Sequence, residues 1–296
     1  MTQDDPFVHI DVSLVRRLLA DQFPQWADLS VRPVAVDGHD NRTFHLGDDM
    51  SIRMPSARWY AEHVRTEHTW LPKLASYLPL PIPVPVGRGV PGGGYPWPWS
   101  VNMWLQGENA SLERITDLSA FAKDLANFLN AFQTIDATEG PSPGQDNFFR
   151  GGDLATYDSE TRACIEVLKD VIDAEPAISI WELALQAKWH QPPVWIHGDI
   201  AVGNLLVQDG RLSAVIDFGQ LAVGDPSCDT TIAWTFFSGA SRDVFCAELD
   251  VDASTWMRGR GWGLWKALLQ LRAHRDNNLG EAGRALGVIR DICAVR

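Results

Sequence analysis

The stretch "VWIHGDIAVGNLLVQDGRLSAVIDFG", residues 194–219, constrains this chain more than any other. It carries two short apolar runs, "LLV" and "AVI", on either side of "QDGR". Asp-Gly between apolar runs is turn chemistry, so the spacing predicts a β-hairpin. A hairpin brings the outer ends of its strands together. Asn204 and Asp217 stand at those ends and can face one small volume. An amide oxygen beside a carboxylate suits Mg²⁺, which takes hard oxygen ligands and keeps positions for water and phosphate. Asp199 precedes Asn204 on a loop that contains Gly198 and Gly203. It stands beside such a metal without having to bind it, and is free to orient or deprotonate an attacking hydroxyl. Asp-x4-Asn alone reads as an ordinary turn carboxylate and amide. The strand-turn-strand and the following "DFG" shift the reading to chemistry.

The rest of the chain supplies a frame in two parts. Residues 12–23 have apolar positions at helical spacing. "VRPVAV", "RTFHLG" and "MSIRMP" alternate and are separated by "DGHDN" and "GDD", which predicts a three-stranded antiparallel meander. "SARWYAEHVRTEHTWLPKLASYL" reads as a helix, with Pro72 marking a kink or the first turn of a second piece. "PLPIPVPVG" reads as an extended connection, because proline removes ladder donors. "RGVPGGGYPWPWSVNMWLQG" reads as a hairpin whose last strand runs from Trp99 to about Leu105. Its "PGGGYP" opens no helix and has no GK[ST], so it is a turn rather than a phosphate cradle. After that the character is helical, with Leu118, Phe121, Leu125, Phe128, Leu129 and Phe132 on one face. Further helices are expected in "YDSETRACIEVLKDVI", "ISIWELALQAKW", "TWMRGRGWGLWKALLQLRAH" and "GEAGRALGVIRDIC". Strands followed by helices argue an α+β fold. The expected division is a nucleotide-binding lobe over residues 1–105 and a helical lobe over 106–296, with a ligand cleft between them.

His197-Gly198-Asp199-x4-Asn204 followed by Ile216-Asp217-Phe218-Gly219 resembles the catalytic and metal-binding loops of kinase-fold enzymes. With Gly198 where protein kinases have Arg, the wording is similar to the aminoglycoside phosphotransferase family, related to choline kinases. The resemblance covers about residues 34–272. It implies a two-lobed protein-kinase-like fold and transfer of the γ-phosphate of ATP or GTP to a hydroxyl. Asp199 is then the catalytic base, and Asn204 and Asp217 the Mg²⁺ ligands. It also implies a strand cation on the phosphates, paired with a helix carboxylate; Arg53 and Glu67 take those places. The family's residue is lysine, and arginine is bulkier and planar. The nucleotide-covering loop falls on residues 36–44, where Asn41, Thr43 or backbone amides are expected at phosphate. Met103 and Trp104 are expected at the edge that meets adenine. His197 is read as a buried brace for the loop, Asp229 as structural, and Asp225 as structural or substrate-facing. His63, four residues before Glu67, lacks the second His of a zinc motif and is read as helix surface.

The formal net charge of −13 argues against nucleic acid and anionic membrane as partners and accommodates a cationic acceptor. An aminoglycoside fits that charge; macrolides, choline-like alcohols, sugars and other metabolites stay open. No apolar run is long enough to span a bilayer, and the acidic N-terminus lacks the pattern of a signal peptide. Four scattered cysteines then read as reduced thiols in a cytoplasmic protein. The thirteen tryptophans are read as apolar packing units. Two other classes compete: a catalytically silent nucleotide-binding scaffold, suggested by Arg53 and the glycine-poor loop, and a protein kinase. The second is disfavoured, because no APE-bounded activation segment follows the "DFG".

Overall fold

A computed structural model describes residues 8–35, 38 and 40–294. Val36, Asp37 and His39, part of the expected phosphate-covering loop, lie outside the described residues. The chain opens with α1 (Val12–Gln22), started by the Asp11 carboxylate accepting the Leu14 N–H at 2.8 Å. An N-cap of this kind satisfies an amide that the helix itself leaves unpaired. The expected meander follows as β1 (Val31–Pro33), β2 (Asn41–Leu46) and β3 (Met50–Pro55), paired antiparallel in sequence order.

Helix α2 (Arg58–Leu74) runs through Pro72, and only a 3₁₀ turn, Ala75–Tyr77, follows it. No second helix begins at the proline, because Pro72 sits in the last turn, where few hydrogen bonds remain to be lost. The proline-rich connection carries neither helix nor strand up to Val84. Beyond it the expectation needs correction: β4 (Pro85–Gly89) is a strand, paired with β5 (Trp99–Met103). It tolerates its proline because it lies at the sheet edge, in the order β1-β2-β3-β5-β4. Between β4 and β5, Gly92 and Tyr95 exchange backbone hydrogen bonds, so "PGGGYP" is a turn.

Side chains alternate along these strands. Phe44, Ile52, Met54, Trp99 and Val101 point to one face and pack with Leu14, Leu18 and Leu19 of α1. Ser51, Arg53 and Asn102 point to the other, where a cavity lies.

The second part is mainly helical. It contains α3 (Leu118–Gln133), α4 (Asp158–Leu168), α5 (Ala174–Gln186), α6 (Ile232–Thr235), α7 (Gly239–Glu248), α8 (Ala253–His274) and α9 (Leu279–Ala294). Its core joins Phe121, Phe128 and Phe132 of α3 to Trp181 of α5 and to Trp262 and Leu268 of α8. The expected hairpin is β8 (Leu205–Gln208) and β9 (Arg211–Val215), extended by β6 (Glu108–Asn109). A second ribbon pairs β7 (Val194–Ile196) with β10 (Ala222–Gly224). These two strands are only three residues long and were not separable from their neighbours by periodicity. Their pairing places the loop after β7 beside the loop after β9. All four cysteines are free. No helix among the described residues is long and apolar enough to cross a membrane.

Candidate active site

The loop after β7 is held from below. Asp229 is 1% exposed, and its two oxygens accept the His197 and Gly198 N–H groups at 2.7 and 2.8 Å. Burial pushes its carboxyl up, while His197 and those two amides favour the ionised form. The His197 ring is buried as expected. Its Nε2 lies 3.0 Å from the Ile216 carbonyl, and its Nδ1 lies 3.2 Å from the Asp199 N–H. Both ring nitrogens therefore meet backbone groups. The ring thus ties the Asp199 loop to the strand that leads into Asp217. Phe218 lies beside it, fully buried, with ring centroids 4.5 Å apart. Gly198 has φ of +86°, and a Cβ there would meet the Gln220 carbonyl oxygen at 2.4 Å, so no other residue fits.

Asp199 sits on this brace with three polar contacts. Asn204 Nδ2 donates to its backbone oxygen at 2.9 Å and to Oδ2 at 3.2 Å. Lys266 Nζ, on α8, donates to Oδ1 at 2.6 Å. Burial raises the carboxyl, but Lys266, His197 and Arg150 outweigh it and hold Asp199 below its ordinary value. Sequence reasoning missed Lys266. Its only local signal was a lone cation inside the apolar "GWGLWKALLQL".

Asp217 adopts φ of +68°, uncommon for a residue with a side chain. Its Oδ1 accepts from Arg53 Nη2 at 3.0 Å, while Arg53 Nη1 reaches Glu67 Oε1 at 3.2 Å. One guanidinium therefore joins β3, α2 and the loop after β9. Burial works against the Arg53 charge, but Glu67 and Asp217 raise its pKa above the ordinary value. Burial shifts Glu67 upward, opposed by Arg53. Glycine again permits close approach: a Cβ on Gly219 would meet His63 Nδ1 at 2.6 Å. His63 is thus a buried contact between α2 and this loop, with Nε2 2.9 Å from the Asp146 carbonyl, and not the surface residue expected.

A cavity of ≈ 270 Å³ lies between the sheet and the hairpin. Thr43, Arg53, Met103, Trp104, Asn204 and Asp217 line it; Asn41, at the start of β2, does not. Both N–H groups of the expected base-contacting edge already have acceptors. The Met103 N–H donates to Val84 O at 3.2 Å and the Trp104 N–H to Asp49 O at 2.8 Å. Leu105 lines the cavity, and among the described residues no acceptor meets its N–H. Asn102 is 2% exposed, and among the described residues neither end of its amide has a partner. Asp225 faces away from this cavity. It is buried in an ion pair with Arg258, Oδ2 to Nε at 2.5 Å and Oδ1 to Nη2 at 3.0 Å.

The donor set fits a hard divalent cation. Asn204 and Asp217 present oxygen to one cavity, and the Asn204 orientation is fixed because its Nδ2 is committed to Asp199.

Comparisons with known proteins bear on the family and the fold. The model of the phosphotransferase enzyme family matches residues 30–287. No curated protein matches the chain. Among solved structures, the GDP complex of wild-type aminoglycoside 2'-phosphotransferase-IIIa is 18% identical with a TM-score of 0.70, covering 96% of this chain and 99% of that one. A ternary complex of a thermostable aminoglycoside phosphotransferase APH(4)-Ia mutant with AMP-PNP and hygromycin B is 20% identical with a TM-score of 0.65, covering 96% and 98%. The streptomycin–ATP ternary complex of APH(2")-IIa is 17% identical with a TM-score of 0.61, covering 97% and 100%. At such identities the likeness speaks to the fold.

Proposed function

Since the chain belongs to the phosphotransferase enzyme family, we propose that it transfers the γ-phosphate of ATP or GTP, with Mg²⁺, to a hydroxyl of a small molecule. The observation that carries this reading is the arrangement of Asp199, Asn204 and Asp217 around one braced loop, with Arg53 reaching it from the sheet. Similar folds have been solved with GDP and with AMP-PNP, which supports a nucleotide in the corresponding cavity.

In this reading Asp199 accepts the proton of the acceptor hydroxyl and aims its oxygen at the phosphorus. Asn204 holds the Asp199 carboxylate in place through Nδ2 and offers its own oxygen to the metal. The second metal ligand is the Asp217 oxygen that Arg53 leaves open. When bound, Mg²⁺ neutralises charge on the transferred phosphates. Arg53, kept in position by buried Glu67, adds a fixed positive charge beside them. Asn102 and the Leu105 N–H offer unmatched hydrogen-bonding groups to a purine edge. Positioning and electrostatics supply most of the rate in such chemistry. The full set of acid, amide and carboxylate supports an active enzyme over a silent scaffold. Four free cysteines suit a cytoplasmic setting.

The test is nucleoside diphosphate release over a panel of hydroxylated small molecules, beside calorimetric titration with ATP–Mg²⁺ and GTP–Mg²⁺. Binding of either nucleotide, weakened by Asp217→Asn, is expected. A chain that binds neither nucleotide is not a phosphotransferase of this kind.

A further inference from the structure

The cavity between the sheet and the hairpin contains two groups that phosphate chemistry does not use. The first is the Asn102 side chain on β5, buried in the cavity wall, with both ends of its amide unpartnered among the described residues. A buried amide without partners is costly, and native structures rarely keep one without a reason. The second is the Leu105 N–H, which meets no acceptor among the described residues. Other polar groups nearby are committed. Ser100 Oγ lies 3.1 Å from His68 Nε2, and the Met103 and Trp104 N–H groups donate to carbonyls. At ≈ 270 Å³ the cavity approaches the size of small-molecule sites, which begin at roughly 300 Å³.

Strand register gives the direction in which a nucleotide would lie. Ser51 stands opposite Asn102, and Arg53 opposite Ser100. Arg53 is therefore displaced from Asn102 by two residues, about 7 Å along the strand, and Leu105 lies on the other side of Asn102. A purine whose sugar and phosphates run toward Arg53 turns its imidazole half to Asn102 and its N1 to Leu105.

We propose that the nucleotide is ATP rather than GTP, and that Asn102 is the residue that distinguishes the bases. This inference rests on the phosphotransferase reading and specifies its phosphate donor. Adenine offers an acceptor at N1, a donor at N6 and an acceptor at N7. The Leu105 N–H matches N1. The Asn102 amide matches N6 and N7 together, accepting from one and donating to the other. Guanine in the same position turns its N1–H against the Leu105 N–H, donor against donor. Its O6 and N7 both accept, so the Asn102 oxygen faces an acceptor whichever way the amide is turned. Sliding guanine to bring O6 to Leu105 leaves the Asn102 oxygen buried and unpaired. A site built to hydrogen-bond one ligand discriminates strongly against another that leaves its buried groups unmatched.

The experiment is calorimetric titration of the whole chain with the Mg²⁺ complexes of ATP, GTP, ITP and 7-deaza-ATP. ITP has the N1–H and O6 of guanine without its 2-amino group, and 7-deaza-ATP lacks only the N7 acceptor. ATP is expected to bind at least about tenfold tighter than GTP, with ITP as weak as GTP. 7-Deaza-ATP should bind about threefold or more weakly than ATP. Asn102→Leu should narrow the ATP-to-GTP ratio by at least about threefold and remove the cost of the 7-deaza change. Its melting temperature without nucleotide should equal or exceed that of the parent, since an unpartnered buried amide is gone. GTP binding as tightly as ATP overturns the inference, as does 7-deaza-ATP binding as tightly as ATP. So does a ratio unchanged in Asn102→Leu. The analogue series in the parent decides the matter even where that variant does not fold. Each of these outcomes leaves the phosphotransferase reading standing, because a nucleotide still binds. A parent protein that binds no nucleotide sinks that reading and the inference together.

Discussion

The Asp217 loop and the Asp199 loop lie side by side, yet each carboxylate faces a different cation. On the cavity side a single cation, Arg53, is shared by Glu67 and Asp217. That leaves one negative charge in excess, which suits an incoming metal ion. On the α8 side Lys266 pairs with Asp199 at 2.6 Å, one cation to one carboxylate. The two loops supply one carboxylate each. What differs is the cation that distant elements deliver, β3 to Asp217 and α8 to Asp199. Similar local chemistry thus acquires a different charge balance from its surroundings.

The largest effect tests the Asp199 loop. Asp199→Asn is expected to lower turnover about 10²–10⁴-fold, with melting temperature and nucleotide affinity nearly unchanged. Retained turnover in steady-state assays removes Asp199 as the base.

The next two substitutions ask whether the sides are independent. Arg53→Met leaves Glu67 buried without its partner and removes one charged contact from the nucleotide. Its nucleotide KM should rise about 10–100-fold, with lower stability in denaturant melts. Lys266→Met should instead lower the acceptor kcat/KM about tenfold while nucleotide KM holds. If both variants move the same constant, the contrast between the sides fails.

The smallest effect is a pH dependence confined to the nucleotide side. His68, on α2, has its Nε2 3.1 Å from Ser100 Oγ on β5. Burial, with the nearby Arg88 charge, pushes its pKa from 6.5 down to about 4. Above the upper value neither folded nor unfolded chain binds the proton. Below it the unfolded chain does, and the folded chain resists. Stability should therefore fall as pH drops through that window and level off at its lower end. Melting curves of the parent against His68→Gln isolate this share; identical slopes remove it.

Much of this was legible early because the signals are short-range. The hairpin β8–β9, the amphipathic α3 and the meander β1–β3 follow from periods of 2 and 3.6 residues. Arg53 and Glu67 were paired because the family resemblance implies a strand cation and a helix carboxylate, and they meet at 3.2 Å. Features set by contacts between distant segments were not legible. The edge strand β4 depended on which strand would flank it. The engagement of the Met103 and Trp104 amides depended on Val84 and Asp49. The burial of His63 depended on Gly219 arriving from a remote loop.

By itself the chain's order of residues determined that an amide and an acid would meet at the open end of one hairpin, with a second acid close by in sequence, because hairpin geometry is local. Only tertiary structure decided what charge each acid faces. Lys266 is 67 residues from Asp199 in sequence, and Arg53 is 164 from Asp217. Coulomb energy depends on distance through space and on local burial, and neither can be read from separation along the chain.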